Sequence, residues 1–422
     1  MIIIKKCLLT VLAVVLVISA SGCGQSNNTQ EKDEEQSAAP SGRDVSFSPA
    51  PDSDFEFTTN NDNNVIITKY TGDGGNVTVP DTLDGKTVVS IGAFSFRGLE
   101  TLTGVKLPDS VTSIGNYAFT PIPEDATGTF VTVNSSLRTI VMGGNVTTIG
   151  EGAFYSCFML ESVNIPDSVT FIGKEAFRGC RALKSVNIPD GLTEIGYGVF
   201  NSCSSLESVT IPDSVTNIAQ YAFHICTVLK EIKVGAGNDF YTDIDGVLFS
   251  KDQKTLLHYP AAKPGTEYAI PQTVVSIEES AFQYNSFLTG VTIPQSVTFI
   301  GYNAFYDTKS LLSITIPDSV TSIGGNVFAG GESLESVTVG SGITVIDDRM
   351  FQANKSLVSV TLPDGLTKIG GYVFGSCKLL KEINIPASVT EIADDAFANC
   401  DSLPGETRQR ILQINPNAVF VQ

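Results

Sequence analysis

The chain has 422 residues, 42% hydrophobic and 17% charged, which is enough for a large core and too apolar for disorder throughout. Its 45 acidic against 26 basic residues give a net charge of −19; nothing offsets phosphate repulsion, which excludes electrostatic nucleic-acid binding. Two histidines in the whole chain leave little room for histidine-based catalysis or metal binding.

Lys5 and Lys6 precede an apolar run of 14 residues from Cys7 to Ala20. That is shorter than the roughly 20 residues of a spanning helix and has the layout of an export signal. The run closes on Ala20-Ser21-Gly22-Cys23. Small residues directly before a cysteine resemble a bacterial lipobox, which implies a diacylglyceryl group on Cys23 and cleavage before it. Ala20 stands where that family more often has leucine. Ordinary secretion and an uncleaved anchor are the alternatives. The expectation is a signal peptide over residues 1–22, then attachment by lipid to the outer face of a bacterial membrane. Losing Lys5 and Lys6 with the signal leaves a net charge of about −21. Residues 24–54 are largely Ser, Asn, Gln, Pro, Asp and Glu, which cannot bury enough surface to offset their ordering entropy. Residues 23–54 therefore read as the lipidated cysteine and a disordered tether spanning roughly 30 Å.

Residues 55–90 read as an N-terminal cap. Phe55-Glu56-Phe57 and Val65-Ile66-Ile67 flank Asn60-Asn61-Asp62-Asn63-Asn64, a hairpin signal. From 91 to 400 the chain repeats itself. The anchors are Phe94, Phe119, Phe154, Phe177, Phe200, Phe223, Phe282, Phe305, Phe328, Phe351, Phe374 and Phe397. They step by 23 residues from Phe154 to Phe223 and again from Phe282 to Phe397. The early steps are 25 and 35, and one central step is 59. The 35 holds an insertion near 121–133. The 59, irregular near 239–263, holds either a degenerate turn plus an insertion or a small hairpin unit. Inside it, Asp245-Gly246 between apolar alternations reads as a hairpin turn. A calcium loop would need longer acidic spacing and a closing glutamate.

The consensus is Pro-Asp-Ser-Val-Thr-x-Ile-Gly-x-x-Ala-Phe-x-x-Cys-x-x-Leu-x-x-Val-x-Ile, one copy running from Pro166 to Ile188. Val186 and Ile188 alternate with period two, so both point inward from a strand. Pro189-Asp190-Gly191 turns the chain. Leu192 and Ile195 form a second apolar pair, and the Ala-Phe position plugs the interior. No single repeat buries its apolar face, so neighbours must stack. Over residues 55–403 this pattern resembles the BspA-like leucine-rich repeats of bacterial surface proteins. The resemblance implies a right-handed leucine-rich-repeat solenoid of about 12–13 turns. Parallel strands would line the concave face, with short strands and helical turns on the convex face. Residues 401–422 read as the C-terminal cap, with a helix over Glu406–Ile414, Pro416 and a Val419-Phe420-Val421 strand.

Six cysteines, Cys157, Cys180, Cys203, Cys226, Cys377 and Cys400, each lie three residues after an anchor phenylalanine. Asn285, Thr308 and Asn354 hold that position in other repeats. The exchange suggests a tightly packed site that satisfies backbone groups. Buried free thiols, some disulfide pairing between rungs roughly 5 Å apart, and metal binding are the readings to separate. His224 and His258 belong to no recognisable catalytic motif and read as structural. No cofactor, metal or catalysis is expected.

Outward strand positions run Ser162, Asn164, Ser185, Asn187, Ser208, Thr210, Ser313, Thr315, Ser336, Thr338, Ser359 and Thr361. They are small, uncharged and hydrogen-bonding. Such a face is either a plain solvated sheet or a ligand surface. It lacks the large aromatics of tight interfaces and the stacking platforms that suit sugars. Members of the resembled family are often adhesins, which implies a host matrix or cell-surface protein as partner. A non-catalytic envelope scaffold binding bacterial surface or cell-wall components is the competing reading.

Overall fold

The polar groups of Pro-Asp-Ser-Val-Thr close each turn and tie it to its neighbours. The proline carbonyl accepts from the valine three residues on, as Val169 N to Pro166 O at 3.0 Å, and closes a tight turn. The serine hydroxyl donates to the preceding turn: Ser168 to Val146 O, Ser214 to Leu192 O and Ser388 to Leu366 O, all at 2.6 Å. Threonine repeats the device, with Thr216 to Thr193 O at 3.2 Å and Thr367 to Thr344 O at 2.9 Å. Glycine follows isoleucine because the turns touch there. A Cβ on Gly173 would lie 2.4 Å from Glu151 N.

The computed structural model describes residues 46–121 and 135–420. Cys23, the signal and nearly all of the insertion near 121–133 lie outside the described residues. Ser46–Gln422 is one compact unit carrying its own core. It is a leucine-rich-repeat β-solenoid of about 14 turns with two parallel ladders. The first ladder holds the Ser-Val-Thr strands, such as Ser313–Thr315, Ser336–Thr338 and Ser359–Thr361 in register. The second holds two-residue strands, such as Thr148–Ile149 paired with Phe171–Ile172.

Between the ladders a spine of phenylalanines fills the interior. From Phe119 to Phe223 and from Phe282 to Phe397, successive ring centroids lie 4.6–5.9 Å apart, near parallel. Each buried ring contributes about 1.5–3 kcal/mol through burial, and stacking adds to it. A left-handed residue on either side swings the ring inward: Glu175 (φ 57) and Gly179 (φ 76) flank Phe177, and Asn303 (φ 57) and Asp307 (φ 56) flank Phe305.

The cysteine position completes the interior. Each Sγ donates to the carbonyl of the anchor one rung back, as Cys203 to Phe177 O at 3.3 Å and Cys400 to Phe374 O at 3.0 Å. Asn354 Nδ2 donates to Phe328 O at 2.9 Å from the same place. This shared donor explains why cysteine and asparagine exchange. All six thiols are free and buried. Burial pushes Cys157, Cys226 and Cys400 up to about 12.

The structure corrects several expectations. Phe96, not Phe94, is the first phenylalanine of the spine: Phe96 is 2% exposed and stacks 5.0 Å from Phe119, while Phe94 is 48% exposed. Phe94 occupies the left-handed corner, φ 60, that Tyr117 fills one turn later. The step to Phe119 is therefore 23 residues, not 25. Tyr70 and Tyr259 are further rungs, stacked on Phe96 at 5.2 Å and Phe282 at 4.9 Å, which raises the turn count. The expected helical turns are absent from the described repeats; two-residue strands and hydrogen-bonded turns take their place. At the C-terminus the Gly405–Ile414 helix forms, but Val419 and Phe420 are not a strand. Phe420 instead packs under the Arg408 guanidinium, 5.2 Å from the ring centre. Ser48–Pro49, assigned above to the tether, pairs with Val77–Thr78 and extends the first ladder.

The 59-residue step breaks the solenoid into two cores. Tyr241–Ile244 and Val247–Ser250 form an antiparallel hairpin across Asp245-Gly246, both at positive φ, the backbone of a type I′ turn. The hairpin is a partition: Leu248 faces one core, Val247 and Phe249 the other. Thr255–His258 then pairs with Val247–Ser250 on one side and restarts the second ladder on the other. Leu256 is in register with Ile277. Yet Leu256 reaches its anchor, Tyr259, in three residues, where Ile277 takes five to reach Phe282. This turn has lost two corner residues, so the step contains both a hairpin and a shortened turn.

Candidate binding surfaces

The outward residues fall into two runs. Ser162 and Asn164 are exposed on Ser162–Asn164, and Ser208 and Thr210 on Ser208–Ile211. Ser185 and Asn187 lie between them, where only Val186 makes a bridge, to Val163. Asn187 spends its amide on the fold: Ile165 N donates to its Oδ1 at 2.9 Å and its Nδ2 donates to Ile165 O at 2.6 Å. The second run is more regular. Ser313, Ser336 and Ser359 are neighbours on adjacent strands, as are Thr315, Thr338 and Thr361, all exposed except half-buried Ser359. The junction separates the runs. Glu231 and Lys233, paired at 3.1 Å, close the first run, and Glu382 closes the second.

The shortened turn opens a cleft of about 140 Å³ between the two stacks. Phe223, Leu248 and Leu257 line it on the apolar side. Tyr221, His224, His258, Glu278, Glu279 and Ser280 supply its polar groups. Side chains span the gap where a full corner would stand. Tyr221 Oη donates to Glu279 Oε1, and Gln220 Nε2 to Glu279 Oε2 at 3.3 Å. Asn201 Nδ2 donates to His224 Nδ1 at 3.5 Å, and His224 Nε2 donates to Gln283 Oε1 at 2.5 Å. This pattern fits a neutral imidazole with its proton on Nε2. Burial lowers the His224 pKa, and burial with His224 nearby lowers His258 to about 4. Tyr221 is pushed up to about 12, first by its bond to Glu279 and then by burial. The Ser280 hydroxyl is buried without a hydrogen-bond partner.

A chain of tyrosine ring contacts leads to Tyr221 and His224 in the cleft wall. Tyr197 meets Tyr221 edge-on at 5.6 Å, Tyr221 meets His224 at 4.9 Å, and Tyr284 lies between His224 and Tyr306 at 5.8 and 6.0 Å. Tyr197 and Tyr302 are 44% and 45% exposed. The sequence reading sought aromatics on the strands and missed these at the corners. The signal was present: tyrosines two or three residues before, or one or two after, an anchor cluster around the irregular step. Ile277-Glu278 is a second signal, because Glu278 stands where the following repeats have Gly301 and Gly324. A Cβ at either glycine would come within 2.5–2.6 Å of the preceding turn's backbone.

The 23-residue period, the paired ladders and the phenylalanine spine have a counterpart among known families. The model for the BspA type leucine rich repeat region matches six copies over residues 76–140, 147–256 and 266–404. The chain belongs to the BspA-type leucine-rich-repeat family. Repeat proteins of this kind are typically non-catalytic. This BspA-type protein is similar to a leucine rich cell surface protein from Faecalibacterium prausnitzii. The two are 32% identical, with 84% of this chain and 93% of that one covered and a TM-score of 0.63. A leucine-rich repeat protein from Eubacterium ventriosum is 28% identical over 83% and 94% of the two chains, with a TM-score of 0.56. The pneumococcal vaccine antigen PcpA shares the fold at 24% identity, over 87% and 96%, with a TM-score of 0.73. No curated protein matches the chain.

Proposed function

We propose that this is a cell-surface lipoprotein, held by lipid on Cys23, whose solenoid binds proteins of a host matrix or of neighbouring cells. One observation carries the binding reading. Exposed Ser and Thr pairs stand in register on adjacent strands of the second run, a flat face that is neutral on an acidic molecule. The similarity to a protein described as cell-surface supports the location. The lipobox-like Ala20-Ser21-Gly22-Cys23 supports the anchor, since two acyl chains suffice for stable attachment.

The test is binding of Ser46–Gln422 to immobilised extracellular matrix proteins. Saturable binding that is lost when Ser313, Thr315, Ser336 and Thr338 are replaced by lysine is the expected result. Absence of binding at micromolar protein would defeat adhesion and direct the search to the bacterium's own envelope components. For the anchor, Cys23→Ser should abolish incorporation of radiolabelled palmitate and release the protein from the membrane fraction. Undiminished incorporation would exclude Cys23 as the lipid site.

A further inference from the structure

We propose that the junction cleft is a binding site for a planar organic cation on an apolar stem, namely the arginine side chain of a polypeptide. The polypeptide source rests on the protein-binding reading above; the preference for a cation does not.

Size comes first. A cavity of about 140 Å³ is close to the roughly 150 Å³ engineered cavity that takes up benzene. It admits one ring or one long side chain, not a helix or a glycan. The apolar side, from Phe223, Leu248 and Leu257, suits methylenes rather than a hydrated ion.

Charge gives the sign. Glu278 and Glu279 stand in the wall, and among the described residues neither is ion-paired. Tyr221 and Gln220 hold the Glu279 carboxylate in place by neutral hydrogen bonds, so its charge is oriented and left uncancelled. Both histidines are held neutral near pH 7 by burial. The nearby Arg178 is already committed to Glu175. An anion would meet two carboxylates, and no group of three metal-ligating side chains is present among the described residues.

Shape selects arginine over lysine. A guanidinium offers a flat fork of donors for a carboxylate and a face for aromatic rings. Tyr221 in the wall supplies one ring, and exposed Tyr197 packs edge-on against it at 5.6 Å. The Ser280 hydroxyl, unpartnered at 8% residue exposure, offers an acceptor to a further N–H. An ammonium uses neither the fork nor the ring faces as well.

The two histidines are built-in reporters, since the chain has only His224 and His258 and both line the cleft. Their imidazole C–H proton signals in Ser46–Gln422 would be followed during titration with benzamidine, benzamide and benzoate, three shapes alike and differing in charge. Benzamidine should move both signals saturably at a dissociation constant on the order of 1 mM. Benzamide should bind about tenfold more weakly, and benzoate should not move the signals. Glu279→Gln and Glu278→Gln should each weaken benzamidine about tenfold, with circular dichroism unchanged. N-acetyl-arginine amide should bind more tightly than N-acetyl-lysine amide and than free arginine.

Equal binding of benzamide or benzoate would overturn the proposal, as would silence of both histidine signals at ~20 mM benzamidine. Benzamidine binding without N-acetyl-arginine amide binding would overturn the arginine assignment. If matrix proteins fail to bind while the benzamidine series behaves as stated, the adhesion reading fails and the cation site stands.

Discussion

Phe94 and Phe96 test the register of the solenoid, because the repeat pattern favours one and the structure the other. Phe96 is 2% exposed, with ring centroids of Tyr70, Phe119 and Phe55 at 5.2, 5.0 and 6.5 Å. Truncating such a ring to alanine costs about 3–5 kcal/mol, the lost transfer energy plus the cavity. Phe94 is 48% exposed. It stacks on Tyr117 at 5.7 Å and lies under the Arg97 guanidinium at 5.0 Å. Half-exposed contacts of this kind contribute about 1 kcal/mol in sum. Phe94→Ala should therefore cost about 1 kcal/mol or less and Phe96→Ala about 4. Phe94→Gly should cost no more than Phe94→Ala, because φ 60 disfavours any side chain with a Cβ. The assay is urea unfolding of Ser46–Gln422 by far-ultraviolet circular dichroism. An array can unravel from one end, so proteolytic cleavage before Phe119 is followed alongside. Equal losses, or a greater loss for Phe94→Ala, would refute the assignment of Phe96 to the spine.

Other consequences can be checked on the same protein. Cys157, Cys180, Cys203, Cys226, Cys377 and Cys400 should resist a disulfide reagent at pH 8 in the native state and all react in denaturant; prompt native labelling would contradict their burial. Asn354→Cys should change stability by no more than about 1 kcal/mol, because the thiol keeps the donor to Phe328 O and removes the buried, unpartnered Oδ1. Asn354→Leu should cost about 1–3 kcal/mol, leaving Phe328 O and Phe351 O without that donor; equal midpoints for the two variants would argue against the donor role. His258 has its folded pKa lowered from 6.5 to about 4, so the unfolded chain binds the extra proton first as pH falls. Its contribution is full above about pH 6.5 and is lost toward pH 4, up to about 3 kcal/mol. His258→Phe should flatten that part of the stability profile, and an unchanged slope would exclude His258 as its source.

The regular part of this fold was legible because each turn solves the same problem. The 23-residue step and the inward Val186 and Ile188 pattern require stacked turns, and that is the arrangement found. Errors arose where two residues fit one motif. In Gly92-Ala93-Phe94-Ser95-Phe96 the Ala-Phe pair falls two residues early, and composition does not reveal which ring faces inward. Counting from Phe119 and Ile91-Gly92 would have chosen Phe96. Tyr259 was missed for a related reason, since a tyrosine preceded by histidine does not resemble Ala-Phe, although it lies 23 residues before Phe282. The repeat pattern marked the irregular step but not the cleft's geometry. It depends on His224 and Gln283, 59 residues apart, meeting because a corner between them is short.

That geometry says where chemistry can reside in such a chain. Within a regular stack many donors are committed: hydroxyls such as Ser168 and Thr216, the cysteine thiols and the Asn354 amide bond the turn before. Outward strand positions remain free, but they carry small side chains that give area and little directional force. A fault in the repeat removes several partners that would stand one turn away and lets side chains reach further along the stack. At the junction the missing corner turns Tyr221, Gln220 and His224 toward the next turn but one, and it gives Glu278 room in a place where the next two repeats hold Gly301 and Gly324. Filling the corner should therefore remove the site without replacing any residue that lines it. Inserting two residues between Leu257 and His258, to restore the five-residue spacing of Ile277 to Phe282, should close the gap and release Glu279 from Tyr221. It should also let Tyr221 titrate nearer 10, because the bond that raises it is lost. Ultraviolet titration of the tyrosines would read that change, and an unaltered titration would show that the clasp survives without the shortened turn.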